Sequence, residues 1–501
     1  MARRGNRTRP APPPLPVVTP APSGGAYRPL SDIDRDRIVE HAFEMLEHVG
    51  MADAPDRYAE LLIAAGGRRR DDGRVLLPRP MVEAALDRAP STVELPGFVD
   101  DHGVSIGGKG VHIGTGGAAV QILDAATGTY RDSVLGDLWT MMRVVDELPN
   151  IHYGLRPLVA RDIEDPLELD LNTAFAVTAA TAKPTGVSFT SADTVDPVVD
   201  LFDMMLGGTG RFAAQPFSMA VVVHVVPPLR FSPEGCEIME RAIERGMIIQ
   251  TCSAGQAGAT SPPSLAGSLA QGLAEILAGV VLADAIKPGH PCIHAFMPFV
   301  SDLRTGAMTG GSGEAAVVSA AAAQLLRDLD IPNAVSAGIT ESKTADAQAG
   351  YEKSYTVTLS AHAGADMVQL SVGMLGSIMV ASPEILVIDA DMCGAILRSV
   401  RGVEVDPSYL DLAVIEDVVS GEGHYLGSPQ TLELMRSEYV YPDLGDRQSV
   451  AEWVSAGEPS IWDAAGQKVA EILAAGRPDH LDTTNEAAVR AAFPIHLEQH
   501  P

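Results

Sequence analysis

The sequence has little positive charge and few aromatic side chains. Its 36 lysines and arginines are outnumbered by 65 acidic residues, for a formal net charge of −29, and aromatic residues make up only 5% of the chain. A protein that binds the phosphate backbone of a nucleic acid needs a basic surface, which this composition does not provide. We therefore exclude a nucleic-acid partner and keep cationic small molecules as candidate ligands.

Cysteine is also scarce, and the four present, Cys236, Cys252, Cys292 and Cys393, form no CxxC pair. This spacing suggests neither a zinc site nor a disulfide framework, and it fits a reducing cytoplasm. Charges and glycines interrupt the Ala-rich helices, so we expect no segment able to span a bilayer. The Pro-rich start lacks the apolar core of a secretory signal. Walker, HExxH and GxSxG motifs are absent, which leaves nucleotide hydrolysis, zinc proteolysis and serine hydrolysis without support.

The residue pattern along the 501-residue chain divides it into four regions. Residues 1–30 are Pro-rich and predict a disordered tail. Residues 31–133 combine helical stripes with short glycine-punctuated runs, which predict a helical extension with a small antiparallel sheet. Strands and helices alternate over residues 134–420, and residues 421–501 predict a C-terminal helical extension.

Seven apolar runs in the middle of the chain predict strands that are buried on both faces. These are Tyr153 to Ala160, Thr185 to Phe189, Ala220 to Val226, Met247 to Thr251, Cys292 to Met297, Ala334 to Ala337 and Met367 to Leu370. Their alternation with helices predicts an α/β fold, a (β/α)8 TIM-like barrel. The eighth strand is unassigned, lying either beyond Val372 or within residues 31–133, and an open doubly wound sheet is the alternative.

In an α/β barrel, the loops after the strands build the active site. The stretch from Ala337 to Lys353 reads as a strand end, a polar turn and a helix start, and we expect the chemistry there. The alternative is an ordinary surface connection. Gly310 to Ala316 opens another helix, where free backbone amides would suit a carboxylate or phosphate, or where the glycines form a hinge. Polar or aromatic residues at the other predicted strand ends are Ser188, Thr190, His224, Gln250, Thr251, Ser253, Phe296 and Gln369.

Four segments of the chain carry recognisable motifs: SADTVDPVVDLFDMMLGG from Ser191, QAGATSPPSLAGSLAQ from Gln256, DAQAGYEK from Asp346 and GHYLGSPQT from Gly423. Together they resemble the trimethylamine methyltransferase family, also called trimethylamine:corrinoid methyltransferases, over about residues 31 to 456. The resemblance implies an α/β barrel that moves a methyl group from a methylated amine to the cobalt of a separate small corrinoid protein. It also implies that the chain itself binds no cofactor tightly.

Some members of this family carry pyrrolysine just before the DxQAGxEK motif. The matching loop here reads Gly338, Ile339, Thr340, Glu341, with Ile339 at the pyrrolysine position. The chain therefore resembles the branch without pyrrolysine, whose members act on quaternary amines such as glycine betaine. Demethylating a neutral tertiary amine would expel an amide anion, whereas a trimethylammonium group releases a neutral amine and requires no general acid.

The resemblance and this chemistry together predict the site residues. Aromatic faces bind a quaternary ammonium group through their quadrupole, and the candidates near strand ends, Phe189, Phe296, Phe299 and Tyr351, could equally be packing residues. The predicted catalytic residues are Glu341, Gln348 and Tyr351, and the predicted substrate-binding residues are His224, Gln250, Phe296, Gly338, Ile339, Thr340 and Gln369, with no metal ligand. A core histidine is the alternative for His224, and a solvated loop acid is the alternative for Glu341.

The sequence thus predicts a cytoplasmic, corrinoid-dependent methyltransferase that demethylates a quaternary amine. Its expected partners are the amine, a small corrinoid protein and further copies of the chain. Two alternatives stay open at this point. One is a quaternary-amine-binding protein without catalysis. The other is a barrel lyase or aldolase acting through Lys343, which would have to be buried with a lowered pKa.

Overall fold

The computed structural model of the chain describes residues 19–370 and 372–498. At its centre lie eight parallel strands, each followed by a helix. The strands are β1 (His112–Ile113), β2 (Gly154–Leu155), β3 (Thr185–Val187), β4 (Ser218–Val222), β5 (Ile249–Ser253), β6 (Cys292–Phe296), β7 (Asn333–Ser336) and β8 (Met367–Gln369). The helices that follow them are α1 (Leu135–Glu147), α2 (Pro166–Ala180), α3 (Val195–Met205), α4 (Pro233–Glu244), α5 (Leu265–Ile286), α6 (Gly313–Asp328), α7 (Ala347–Ala363) and α8 (Pro383–Arg401).

The sheet closes on itself. Neighbouring strands pair in the order β1, β8, β7, β6, β5, β4, β3, β2. A parallel bridge between Gly114 and Tyr153 then joins β1 to β2, and the amide of His152 donates to the carbonyl of Ile113 at 2.8 Å. This confirms the predicted α/β barrel. The open doubly wound sheet is wrong, because its two edge strands would remain unpaired.

The strand that the periodicity left unassigned is β1, and it comes from residues 31–133. The sequence predicts the run Val111 to Ile113 as part of the small antiparallel sheet, because a strand this short does not show whether its neighbours run parallel or antiparallel. The small antiparallel sheet expected in this region is not one sheet. Val104–Gly107 pairs with Thr92–Leu95, whereas Gln121–Asp124 pairs with Thr129–Asp132 and runs parallel to Val380–Ala381 from the loop after β8.

Three N-terminal helices, Asp32–Glu44, Asp56–Ala64 and Arg79–Arg88, cover the barrel by contacting α5. The hairpin of Thr92–Leu95 and Val104–Gly107 closes the N-terminal end of the barrel, since its apolar side chains join the same interior cluster as the strands. Residues 1–18 of the predicted tail lie outside the described residues.

Residues 19 to 30 of the predicted tail pack against the barrel, contrary to the expectation of disorder. The amide of Thr19 donates to the carbonyl of Pro149 at 3.1 Å, and the amide of Leu30 donates to the side chain of Gln324 at 2.9 Å. Arg28 forms an ion pair with Asp328 at 2.9 Å. These backbone and side-chain contacts hold a proline-rich segment that has few apolar residues of its own.

Helix α5 is long and apolar enough to cross a membrane by length and composition, which the sequence reading did not anticipate. Within the protein, 83% of its apolar window is buried between the barrel and the N-terminal helices. Its Glu275 accepts hydrogen bonds from the hydroxyl of Ser253 at 2.6 Å and from the amide of Leu229 at 3.0 Å. The length and apolar character of α5 are therefore used in the core of this fold.

After α8 the chain runs through Leu412–Ser420, Pro429–Leu434 and Val450–Ser455, three short helices without a buried residue. Ile461–Ala474 then packs on α1 and α8, close to the predicted last helix at Ala464 to Ala475. A further helix, Thr483–Ala492, packs on α3 and was not predicted, because its apolar stripe is short.

Candidate active site

The alternation of side chains along each strand decides which residues reach the interior of the barrel. On β5, Gln250 and Cys252 point inward, while Thr251 and Ser253 point outward. The Ser253 hydroxyl donates to Glu275 of α5, and the Thr251 hydroxyl lies 2.9 Å from Nδ1 of His294. Two of the three polar residues that β5 was expected to direct to the mouth therefore point away from the barrel interior.

A cavity of about 110 Å³ lies at the carboxyl ends of the strands, and we call it the mouth cavity. Its apolar wall comes from several strands and from the glycine-rich turn after β1. An added Cβ at Gly186 would lie 2.4 Å from Cδ2 of Leu155, so the absence of a side chain there leaves space for the cavity wall. The lining residues are Gly116, Gly117, Ala118, Leu155, Arg156, Gly186, Val187, Ser188, Val221, Gln250, Met297, Gln369 and Leu370.

Two buried glutamines supply free amide groups to the mouth cavity. Gln250 and Gln369 are both 0% exposed. Within residues 19–370 and 372–498, Oε1 of Gln250 and both polar side-chain atoms of Gln369 have no hydrogen-bond partner. Nε2 of Gln250 has only the sulfur of Met367, at 4.0 Å. Because a buried polar group without a partner is destabilising, these amides mark a place for a polar ligand.

Arg156 brings a guanidinium group to the same cavity from the end of β2. Its Nε is buried without a partner, and its side chain forms no ion pair with any residue of the described ranges. Burial lowers the pKa of Arg156, and the more distant charge of Asp170 opposes this effect. The guanidinium nevertheless stays protonated at any pH at which the protein is folded. The apolar run Tyr153 to Ala160 predicted a longer strand and so did not indicate Arg156 as a strand-end residue, while the strand ends at Leu155.

His224 and Phe296 do not reach the mouth cavity. Nε2 of His224 lies 2.9 Å from the carbonyl of Glu275, and burial lowers the pKa of His224 to about 4. The ring of Phe296 occupies the space above Gly272 of α5, where an added Cβ would lie 2.3 Å from the ring. His224, two residues beyond β4, and Phe296, at the end of β6, both point away from the barrel interior and belong to the layer between the barrel and α5.

A second group of polar residues, which we call the rim cluster, surrounds the loop after β7. At its centre is the buried carboxylate of Glu352, which the sequence reading did not select. It accepts from the hydroxyl of Thr340 at 2.6 Å, the amide of Glu341 at 3.0 Å and Nε2 of Gln348 at 2.9 Å. The spacing of Gln348 and Glu352 by four residues on one face of α7 was the signal available in the sequence.

The carboxylate of Glu341 reaches the loop before α6. It accepts from the amide of Gly310 at 2.6 Å and from the amide of Gly311 at 3.2 Å. Burial raises the pKa of Glu341, the two amides oppose this, and the nearby Glu352 adds to it. The backbone amides of this glycine-rich segment, which the sequence predicted to suit a carboxylate or phosphate ligand, thus donate to a carboxylate of the chain itself.

The glycines of this loop are required by close contacts. An added Cβ at Gly310 would lie 2.3 Å from Ile339, and one at Gly311 would lie 2.7 Å from Glu352. Ile339 is buried and joins the interior cluster that contains Met297, a wall of the mouth cavity. The amide of Gly338 donates to the hydroxyl of Thr356 at 2.9 Å. The rim cluster therefore fixes the loop that borders the mouth cavity.

Tyr351, Lys343 and the candidate aromatic rings lie away from the mouth cavity. Tyr351 is 57% exposed and stacks on Tyr355 at a centroid distance of 6.5 Å. Lys343 is exposed, and its ammonium group donates to the carbonyl of Glu341, so it lacks the burial that an aldolase lysine needs. Phe189 and Phe299 are partly buried in apolar clusters. Among the residues described, no aromatic ring lines the mouth cavity.

The family model described as Trimethylamine methyltransferase (MTTB) matches residues 2–496. The chain belongs to the trimethylamine methyltransferase family. It is 28% identical over 468 residues to the glycine betaine methyltransferase of Desulfitobacterium hafniense (strain Y51), covering 93% of this chain and 96% of that protein. It is 30% identical over 404 residues to the trimethylamine methyltransferase MttB of Methanosarcina thermophila, covering 80% and 83%. The predicted family and enzyme class are confirmed, and the protein is a methyltransferase.

A solved structure agrees with the fold of this methyltransferase. The monomethylamine methyltransferase (MtmB) of Methanosarcina barkeri aligns with a TM-score of 0.50 and 14% sequence identity. The alignment covers 88% of this chain and 94% of that chain. At this identity the likeness concerns the barrel fold alone.

The DAQAGYEK motif of this methyltransferase has a structural explanation. Asp346 caps α7 by accepting from the amide of Ala349 at 2.9 Å. Lys353 forms a buried ion pair with Asp389 of α8 at 2.9 Å, and Asp389 also accepts from the amide of Gly373 at 2.8 Å. Together with Gln348, which holds Glu352, the motif fixes the rim cluster between its neighbouring helices.

Proposed function

We propose that this methyltransferase moves a methyl group from a quaternary amine such as glycine betaine to the Co(I) of a separate small corrinoid protein. The observation that carries the proposal is the composition of the mouth cavity. Its wall combines apolar side chains with two free amides and one guanidinium, and Arg156 is its one titratable residue among those described. Such a wall can bind and orient a substrate, but it provides no proton donor at neutral pH.

A quaternary nitrogen is the substrate for which this wall suffices. Co(I) attacks a methyl carbon, the carbon–nitrogen bond breaks, and its electron pair remains on nitrogen as a neutral tertiary amine. Cobalt becomes Co(III) with the methyl group attached, so no proton is taken up or released. Holding the reacting atoms in line is the contribution left to the protein.

Two further observations support the proposal. Ile339, which the resemblance puts at the pyrrolysine position, is a buried aliphatic residue that offers no electrophile to a neutral amine. One of the relatives that spans nearly the full chain is named a glycine betaine methyltransferase. We propose further that the enzyme acts in the cytoplasm without a tightly bound cofactor, and that the corrinoid protein docks at the mouth, where Arg156 and Ser188 remain partly exposed.

The test is an anaerobic assay of methylcobalamin formation from Co(I) cobalamin with purified full-length protein. We expect methyl transfer from glycine betaine or another betaine, and none from trimethylamine. A second variant, Gly186→Ala, adds one methyl group 2.4 Å from Cδ2 of Leu155, so Leu155 must shift into the cavity and turnover should fall. A circular dichroism melt shows whether this variant keeps the folded barrel. Binding of betaines without any transfer, even with a corrinoid partner protein supplied, would reject catalysis and leave a binding protein.

A further inference from the structure

We propose that Arg156 determines substrate specificity by binding a carboxylate, so that the enzyme selects amines that carry an acidic group in the same small molecule. The inference deepens the proposed function and rests on it. The mouth cavity contains the fixed positive charge of Arg156, although the reacting group of the expected substrate is itself a cation. A bare quaternary ammonium ion would be repelled there.

The guanidinium group forms no ion pair within 4 Å with any acidic residue that the structure describes. The charge of Asp170 acts on Arg156 only from a greater distance. Oδ2 of Asp170 is bound by the amide and hydroxyl of Thr190, at 2.7 and 2.8 Å, and by the hydroxyl of Thr194 at 2.6 Å, while its Oδ1 is buried without a hydrogen-bond partner among the described residues. Arg156 contributes no ion pair to the described part of the chain, and its Nε faces no acceptor. Arg156 is only partly exposed and its Nε is buried, and a charge that is largely removed from water without a partner is unfavourable. An anionic group of a ligand in the cavity would therefore stabilise it.

The cavity also has the parts needed for the other end of a zwitterion. The side-chain oxygens of Gln250 and Gln369 are buried without donors among the described residues, and their partial negative charge suits an ammonium group. Leu155, Met297 and Leu370 provide apolar surface for methyl groups. The amide nitrogen of Gln369 is free to assist Arg156 as a second donor to the carboxylate.

The volume favours a small molecule. An apolar cavity of about 150 Å³ is large enough for a single benzene ring. The mouth cavity, at about 110 Å³, is smaller, so we expect it to enclose the trimethylammonium group, with the carboxylate lying at the partly exposed side formed by Arg156 and Ser188. Long-chain or bulky betaines would have to extend past Arg156 and Ser188 toward solvent.

Isothermal titration calorimetry on the full chain tests this assignment. The probes are glycine betaine and choline, which share the trimethylammonium group, but choline has an alcohol in place of the carboxylate. We expect the native protein to bind glycine betaine more tightly. Arg156→Gln should weaken glycine betaine by about 10- to 100-fold, the range for losing a charge-assisted hydrogen bond, and should leave choline unchanged or slightly tighter. The affinity of Arg156→Lys for glycine betaine should lie between those of the native protein and Arg156→Gln, because lysine keeps the positive charge but cannot donate two parallel hydrogen bonds to a carboxylate.

Arg161→Gln is the matched control, since Arg161 lies on the same loop between β2 and α2, does not line the mouth cavity and pairs with Asp132. It should leave both affinities unchanged, and a circular dichroism melt should show that every variant is folded. Equal weakening of both probes by Arg156→Gln, or no weakening of glycine betaine, would overturn the assignment. Calorimetry requires no corrinoid, so a protein that binds betaines through Arg156 but never methylates cobalamin would reject the proposed function alone.

Discussion

Glu341 connects two loops of the rim through a single carboxylate. Its oxygens accept from Gly310 and Gly311 on the β6 side, while its own amide donates to Glu352 on the β7 side. The sequence predicted Glu341 as a catalytic residue, and that role stays a prediction. The geometry adds a positioning role, because the loop that carries Ile339 cannot shift without breaking these contacts.

Replacing Glu341 should separate chemistry from positioning. Glu341→Ala leaves the two glycine amides without an acceptor, and we expect turnover to fall by about 10- to 100-fold through misplacement of the rim. Because the side chain is only half-buried, the loss of folding stability should be small, about 1 kcal/mol. The measurements are kcat for methylcobalamin formation and a thermal melt.

Glu341→Gln keeps an oxygen in place for the amides and serves as the control. If positioning is the role, this variant retains most of the activity. Unchanged kinetics in both variants would remove Glu341 from the site.

At the scale of single residues, the sequence indicates which polar side chains could bind a substrate more easily than it indicates which face of a strand they occupy. Gln250 and Gln369 were predicted as substrate-binding residues, and both line the mouth cavity. His224 lies two residues beyond the end of β4 and Phe296 is the last residue of β6, and both side chains point away from the barrel interior and contact α5. Which face a strand residue takes depends on register, and a one-residue error in a strand boundary reverses it. The same kind of error concealed Arg156 within a strand that was predicted too long.

Among the elements, α7 and α8 are joined by the ion pair of Lys353 and Asp389, whose side chains are only 2% and 4% exposed. Burial raises the pKa of Asp389, and the ammonium group of Lys353 opposes the shift. Removing one member of such a pair leaves an uncompensated buried charge. The pair thus makes the position of the rim depend on two helices at once.

Lys353→Met should destabilise the protein by about 3–5 kcal/mol, and the double variant Lys353→Met with Asp389→Leu should recover most of that loss. Urea unfolding of the single and double variants measures both effects. A double variant that is no more stable than Lys353→Met would contradict the account of the pair.

Asp366, directly before β8, gives the barrel a pH dependence. It is buried and accepts from the amide of Asn333 at 2.9 Å and from Nδ2 of Asn333 at 2.7 Å. Burial raises the pKa of Asp366 from 3.8 to about 7 in the folded protein. Its stabilising contribution is therefore complete below about pH 4 and is lost as the pH rises through about 7, because ionisation in the core is unfavourable.

Asp366→Asn removes the titrating group and keeps an oxygen for Asn333. Relative to this variant, the native protein should lose about 1 kcal/mol of stability per pH unit between pH 4 and 7. Urea midpoints of both proteins, measured at several pH values, provide the comparison. A difference that is independent of pH would show that Asp366 does not titrate in this range.

The barrel strands were predictable to different degrees for a physical reason. The seven predicted strands are buried on both faces and read as continuous apolar runs, which the structure confirms in type and order. Strand β1 is too short to show any period, and it follows a stretch of turns. Its place is set by pairing with β8 at Met367 and Val368, a long-range contact that no local pattern encodes.

For the whole molecule, the most unusual surface is the segment of residues 402–460, which we call the C-terminal arm. None of its residues is buried, and it exposes large apolar side chains: Val403 is 87% exposed, Leu426 82% and Val450 78%. Its attachment to α8 includes the ion pair of Arg398 and Glu438. Exposed large apolar side chains thus recur along the arm, and exposed apolar surface of this kind is typical of sites of protein–protein contact. We propose that the arm lies between copies of the chain in a homo-oligomer.

Sedimentation velocity at micromolar concentration tests this proposal. The native chain should sediment as an oligomer, and Leu426→Glu combined with Val403→Glu should shift it toward the monomer. Ile33→Glu, at a residue that is 66% exposed on an N-terminal helix, is the control and should have no effect. A native chain that is monomeric at these concentrations would reject the proposal.

The proposed reaction depends most on one condition, that a permanent positive charge on the substrate nitrogen replaces proton donation by the protein. The direct measurement is nuclear magnetic resonance of the products formed from glycine betaine labelled with carbon-13 in its methyl groups, with Co(I) cobalamin as acceptor. We predict one labelled methyl group on cobalt for each molecule of dimethylglycine released, and no labelled methyl transfer from trimethylamine. Transfer from trimethylamine, with none from glycine betaine or any other betaine, would contradict the account.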